Sequence, residues 1–115
     1  MVVEYGIKLI HRGKEISANA CLTNKVLFNS ITETLFRESF GEVWNKLKKP
    51  YEMIVKGQRV MIDKYAILTV VMGPKTFEAE FYITNALLTL FETKCEVIIG
   101  KKSLEANKIR IIEEE

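Results

Sequence analysis

The sequence predicts a mainly-β domain, a barrel or sandwich of about eight or nine short strands with one or two short helices. Three observations predict it. Apolar and polar residues alternate with period two through residues 3–9, 16–22 and 77–83, the pattern of half-buried strands. Glycine-bearing turns punctuate the apolar runs near Gly13, Gly57 and Gly73. A single longer stretch, 31–40, combines helical spacing with start and stop signals.

The elements follow in order. Val3, Tyr5, Ile7 and Leu9 form one face of a first strand, His11-Arg12-Gly13-Lys14 supplies a turn, and Ile16, Ala18, Ala20 and Leu22 return as its hairpin partner. Val26-Leu27-Phe28 reads as a short third strand. Ser30 and Glu33 have capping-box spacing, Leu35, Phe36 and Phe40 recur on one helical face, and Gly41 suits a left-handed helix end. Residues 42–50 are open between a further helical turn, with Val43, Trp44 and Leu47 on one side, and a loop ended by Pro50. Strands follow at 51–55, 59–62 and 65–72, with a turn at Lys56-Gly57-Gln58. The alternation of Phe77, Ala79, Phe81 and Ile83 with Glu78, Glu80 and Tyr82 makes 75–83 the clearest strand of the chain. Residues 86–91 suit a strand or a helical turn, 95–99 a continuous apolar strand, 102–107 a helical turn and 108–112 a last strand.

Composition sets the bounds. The chain has 115 residues, 48% hydrophobic and 28% charged, so it reads as one globular domain over residues 1–115 with a core of its own. No run of apolar residues is long enough for a membrane helix, and Glu4 stands where a secretion signal needs basic residues. The expectation is a cytoplasmic protein with no membrane partner. A net charge of +2 is too mild for an obligate nucleic-acid binder. Two cysteines and one histidine are too few for a disulfide framework or a Cys/His-rich metal centre, so no metal and no cofactor are expected.

Val97-Ile98-Ile99-Gly100-Lys101-Lys102-Ser103-Leu104, followed by the apolar positions of 108–112, resembles the C-terminal part of retropepsin-like aspartic proteases. That family has two or three apolar residues, a glycine, a basic residue, a short helix containing leucine and a terminal strand. Ile98, Ile99, Gly100, Lys101 and Leu104 carry the resemblance. The order of the other elements agrees with it, and Lys56-Gly57-Gln58 falls where the family places its flap. The resemblance implies a closed barrel. It also implies a homodimer interleaving terminal strands, here the segments 2–5 and 108–112.

It further implies a catalytic loop at the end of the second strand, where the family carries Asp, then Thr or Ser, then Gly. A pair of such carboxylates, one per subunit and sharing a proton, activates water. Here Leu22, Thr23, Asn24 and Lys25 occupy that loop, and none of them is acidic. Lys101 lacks the guanidinium fork of the family's arginine, and Lys102 replaces the acid or amide that follows it. Asp63, the chain's lone aspartate, precedes Lys64 and Tyr65 rather than a small residue and glycine. The expectation is a non-catalytic, homodimeric, retropepsin-like module whose partner beyond its own copy is a peptide or protein.

Other candidates stand beside bland alternatives. Thr23 and Asn24 suit a former active cleft that binds a ligand, and equally a plain loop. Cys21 or Cys95 could be a reactive thiol with His11 as its base, or both could be small buried side chains. Asp63 and Lys64 suit an acid–base pair or a turn. Trp44, Lys46, Lys48, Lys49 and Tyr51 combine stacking surfaces with phosphate-binding charge, so the alternative function is a small nucleic-acid-binding β-barrel. A solvated face with one packed tryptophan explains the same residues.

Overall fold

The computed structural model describes residues 3–55, 57–86 and 95–111. Seven strands and two short helices are present among them: β1 (Val3–His11), β2 (Lys14–Leu22), β3 (Asn29–Ile31), α1 (Glu33–Phe40), β4 (Asn45–Val55), β5 (Gln58–Met72), β6 (Lys75–Ile83), β7 (Val97–Ile99) and α2 (Lys101–Ala106). The strands lie in the order β1-β2-β7-β3-β6-β5-β4, and β1 also pairs with β5. That last pairing, from Lys8↔Val71 to Ile10↔Thr69, closes six strands into a barrel and leaves β4 outside the ring. The predicted mainly-β closed barrel is the observed fold, and the one or two short helices expected are two among the described residues.

Local chemistry explains the elements. Arg12 and Gly13 both have positive φ, 49° and 80°, as a two-residue hairpin turn requires, and they set the register His11↔Lys14 through Val3↔Leu22. Alternation then delivers Ile7, Leu9, Ala20 and Leu22 to the core, where Leu68, Val70, Phe81, Val97 and Ile99 meet them. Phe36 and Phe40 of α1 and Leu104 of α2 plug the same core.

Several expectations need correction. The third strand is Asn29–Ile31, not 26–28; its residues are all buried, and its pairing is parallel to β6 and antiparallel to β7. The cap of α1 is Thr32, whose Oγ1 accepts from Leu35 N at 3.2 Å, while Ser30 lies inside β3. Gly41, at φ 85°, ends the helix as expected, its N–H donating to Arg37 O. Residues 45–50 are strand rather than helix or loop. They continue into β4, whose register against β5 slips between Lys46 and Tyr51, giving Pro50 a place with no ladder donor to lose. The runs 59–62 and 65–72 are one strand, so Asp63 sits within β5 and not in a turn. Residues 108–111 form no strand, although Ile109 and Ile111 pack against the core. Lys56, residues 87–91 of the segment 86–91, and the end residues 2 and 112 of the two terminal strands lie outside the described residues.

No helix among the described residues is long and apolar enough to cross a membrane.

Candidate functional site

The loop between β2 and β3 is clamped from below by the chain's C-terminal part. Thr23 is buried; its N–H donates to Ile99 O at 3.1 Å, and its Oγ1 accepts from Lys25 N at 3.1 Å. Asn24 and Lys25 are exposed. Farther along, Val26 O accepts from Lys101 N at 2.7 Å, and Leu27 O accepts from Lys102 N at 3.1 Å. The start of α2 therefore spends its orphan donors on this loop.

Gly100 makes that approach possible. A Cβ there would lie 2.2 Å from Phe28 O and 2.8 Å from Val26 O, both backbone atoms. Asn29 completes the joint. Its Oδ1 accepts from Gly100 N at 2.9 Å, and its Nδ2 donates to Ser103 Oγ at 2.7 Å and to Glu80 O at 3.1 Å. One buried amide thus ties β3, β6 and α2 together. The predicted segments Leu22–Lys25 and Ile98–Leu104 are in direct contact. Asn29 was missed from the sequence because one polar residue after an apolar run gives no sign of burial.

The hairpin of β4 and β5 leans over this joint. Gly57, in its turn, has φ 78°, which only glycine adopts without strain. The cross-strand pair Met53↔Val60 packs with Phe28 onto Ile98 of β7. Phe28, Tyr51 and Tyr82 make a ring cluster with centroids 5.1–5.8 Å apart. Burial, then the charge of Glu80 and the neighbouring Tyr51, raise the Tyr82 hydroxyl above its ordinary pKa.

The alternative stacking platform is divided. Trp44 packs against Phe36 at 6.1 Å, with the Arg37 guanidinium 5.8 Å and the Lys64 ammonium 5.5 Å from its ring. Tyr51 belongs to the separate cluster with Phe28 and Tyr82. Lys46, Lys48 and Lys49 are exposed on β4.

The remaining candidates fall apart or find other partners. Lys64 bridges Asp63 and Glu33 at 3.2 Å each. Its desolvation, which would lower its pKa, is outweighed by these two carboxylates, and the net direction is upward. His11 lies at the turn end of the β1–β2 hairpin, its ring 5.4 Å from Phe36 and 5.5 Å from Phe40. Cys21 is at the other end, so the imidazole serves neither cysteine as a base. Both cysteines are buried, as the bland reading had them, and a disulfide joins them across a Cα–Cα distance of 6.0 Å. Glu4, opposite Cys21 in the β1–β2 ladder, stands beside this pair. The hairpin turn could have revealed the Glu4–Cys21 register, but nothing in the sequence places Cys95 there.

Several concavities border these elements, among them one of about 250 Å³ at the joint itself, lined by Phe28, Asn29, Tyr82 and Ser103 with their neighbours. Another of about 290 Å³ lies between the chain ends, lined by Val3, Tyr5, Leu22, Met72, Ile109 and Ile111 among others. A more open groove of about 590 Å³ runs over Gly6, Lys8, Ser17 and Asn19 on the β1–β2 hairpin.

Comparison with solved structures finds a likeness to EIAV protease complexed with the inhibitor HBY-793. The TM-score is 0.65 at 9% sequence identity, covering 98% of this chain and 94% of that one. A weaker likeness, TM-score 0.49 at 11% identity over 88% of this chain and 84% of the other, is to a Legionella pneumophila protein of unknown function. No family model matches the chain, and no curated protein does. What the retroviral protease shares with this chain at such low identity is the fold.

Proposed function

We propose that this retropepsin-like chain works as a homodimer that binds an extended peptide or protein segment without aspartyl protease chemistry. The observation that carries the reading is Thr23. It lies in the loop after β2, where the resemblance implies the family's aspartate, and its hydroxyl is engaged by the Lys25 N–H of its own loop. A hydroxyl cannot share a proton with its copy and deprotonate water as a carboxylate pair does.

The ends of the chain support the dimer. Val3–Tyr5 pair with β2 on one side, and among the described residues have no ladder partner on the other. An open strand edge beside an apolar hollow of about 290 Å³, with Ile109 and Ile111 on its far wall, suits a second copy's terminal segments. Peptide binding is supported by the hairpin over Ile98, whose Met53 and Val60 could be exchanged for a ligand's apolar side chains.

Sedimentation at micromolar concentration, with peptidase assays on an unfolded protein at acid and neutral pH, tests the reading. A dimer that cleaves nothing is expected. A strict monomer sinks the partner assignment, and cleavage abolished by Asp63→Ala sinks the chemistry. Titration with single-stranded oligonucleotides separates the other reading: tight, salt-sensitive binding lost in Lys48→Glu plus Lys49→Glu would favour a nucleic-acid protein.

A further inference from the structure

We propose that Glu4, Cys21 and Cys95 form a redox-gated site for a thiophilic divalent cation of the zinc class. Glu4 and Cys21 are direct cross-strand partners, so their side chains leave the β1–β2 hairpin on the same face. Cys95 arrives from elsewhere, two residues before β7, which runs parallel to β2 with Cys21↔Ile98 in register. The Cys95 Sγ lies 3.9 Å from Glu4 Oε1. All three potential ligand atoms fall within 4.8 Å of one another. Zinc–sulfur bonds of about 2.3 Å and zinc–oxygen bonds of about 2.1 Å in a tetrahedron separate their ligand atoms by about 3.5–3.8 Å. The sulfur–oxygen separation already has that size, and the two sulfurs, joined in the oxidised protein, reach it once their bond is broken.

The donor set is suited to the cation. Two sulfurs come from buried residues and one carboxylate from an exposed residue, three of the four ligands a tetrahedral zinc takes, with water able to serve as the fourth. In the oxidised protein the Cys21–Cys95 bond takes both sulfurs out of use. A dithiol or phosphine reductant breaks that S–S bond, supplying two electrons and itself becoming oxidised, while two protons complete the thiols. The cation then forms two metal–sulfur bonds, the two thiol protons leave to solvent, and Glu4 adds an oxygen lone pair. Either state crosslinks β2 to the entry of β7, two residues before Thr23. Glu4 lies on the edge proposed above for a second copy, but all three ligands come from one chain, so the site requires neither the dimer nor a bound peptide.

The experiment uses the full chain, oxidised or reduced with a non-chelating phosphine, titrated with cobalt(II) and then zinc. The reduced protein, with its β-type circular dichroism intact, is expected to take up a single equivalent. A thiolate-to-cobalt charge-transfer band should appear, and zinc should displace it. The oxidised protein should show no band. Cys95→Ser should abolish it, and Glu4→Gln, a change at an exposed position, should weaken the affinity about tenfold or more. Because both arms of the main comparison use the same polypeptide, a misfolded variant cannot hide the answer. Reduced protein that takes up no cobalt, or loses its fold on reduction, overturns the proposal. So does a band that persists in Cys95→Ser, or an affinity unchanged in Glu4→Gln.

Discussion

At the scale of single residues, Gly100 and His11 carry the sharpest consequences. Gly100 has φ −91° and ψ 178°, a conformation open to any residue, so its requirement is one of space and not of backbone freedom. In Gly100→Ala the new methyl would meet the backbone carbonyls of Phe28 and Val26, the latter held by the Lys101 N–H, and backbone cannot swing aside as a side chain can. We expect a loss of about 3 kcal/mol or more, read as a lower midpoint in urea unfolding at unchanged slope. His11 acts through protons. Burial, and after it the Arg12 guanidinium, hold its imidazole below the ordinary value of 6.5, and its buried Nδ1 has no hydrogen-bond partner among the described residues. As pH falls, the unfolded chain therefore protonates first. The stability linked to this group is complete above about pH 7, and declines as pH passes down through about 6.5. It levels off once the folded imidazole is protonated too. Urea midpoints at about pH 7.5 and about pH 5.5 should differ more for the native chain than for His11→Gln.

At the scale of elements, α1 shows how a short helix is held at its ends. Its eight residues are too few to persist by propensity, so capping and the burial of Phe36 and Phe40 decide. Thr32 Oγ1 takes one first-turn donor, and Asn85 Oδ1 takes those of Glu33 at 3.0 Å and Thr34 at 3.4 Å. Thr32→Ala should cost about 1 kcal/mol in thermal or urea unfolding, and adding Asn85→Ala should cost further. The elements also show what a sequence can and cannot disclose. The β1–β2 hairpin and β6 were legible because one face of each is apolar and their turns contain glycine. β3 was not, because Asn29 and Ser30 are polar residues buried by hydrogen bonding, and the apolar residues 26–28 beside them drew the assignment instead. β4 was hidden by Lys46, Lys48, Lys49 and Pro50, which are what an edge strand outside the ring tolerates. At the candidate site the Gly100 neighbourhood was readable from local order. The meeting of Glu4 and Cys21 with Cys95, a residue 74 positions after Cys21, is a product of tertiary folding.

At the scale of the whole molecule, the barrel is a ring whose members are far from their neighbours in sequence. β2 pairs with β7 through Ala20↔Val97 to Leu22↔Ile99, and β3 pairs with β6 through Asn29↔Phe81 to Ile31↔Ile83. β7, the latest in chain order among the described strands, is inserted between β2 and β3, and it is three residues long. Contacts of such sequence separation slow folding, because the entropy of closing the long intervening chain is lost before the contact repays it. A nascent chain that has reached residue 96 thus holds a split interior, with β2 and β3 each missing a neighbour. On the ribosome this gap stays open until β7 has emerged, and it is during that interval that chaperones and proteases meet the most vulnerable form of the fold.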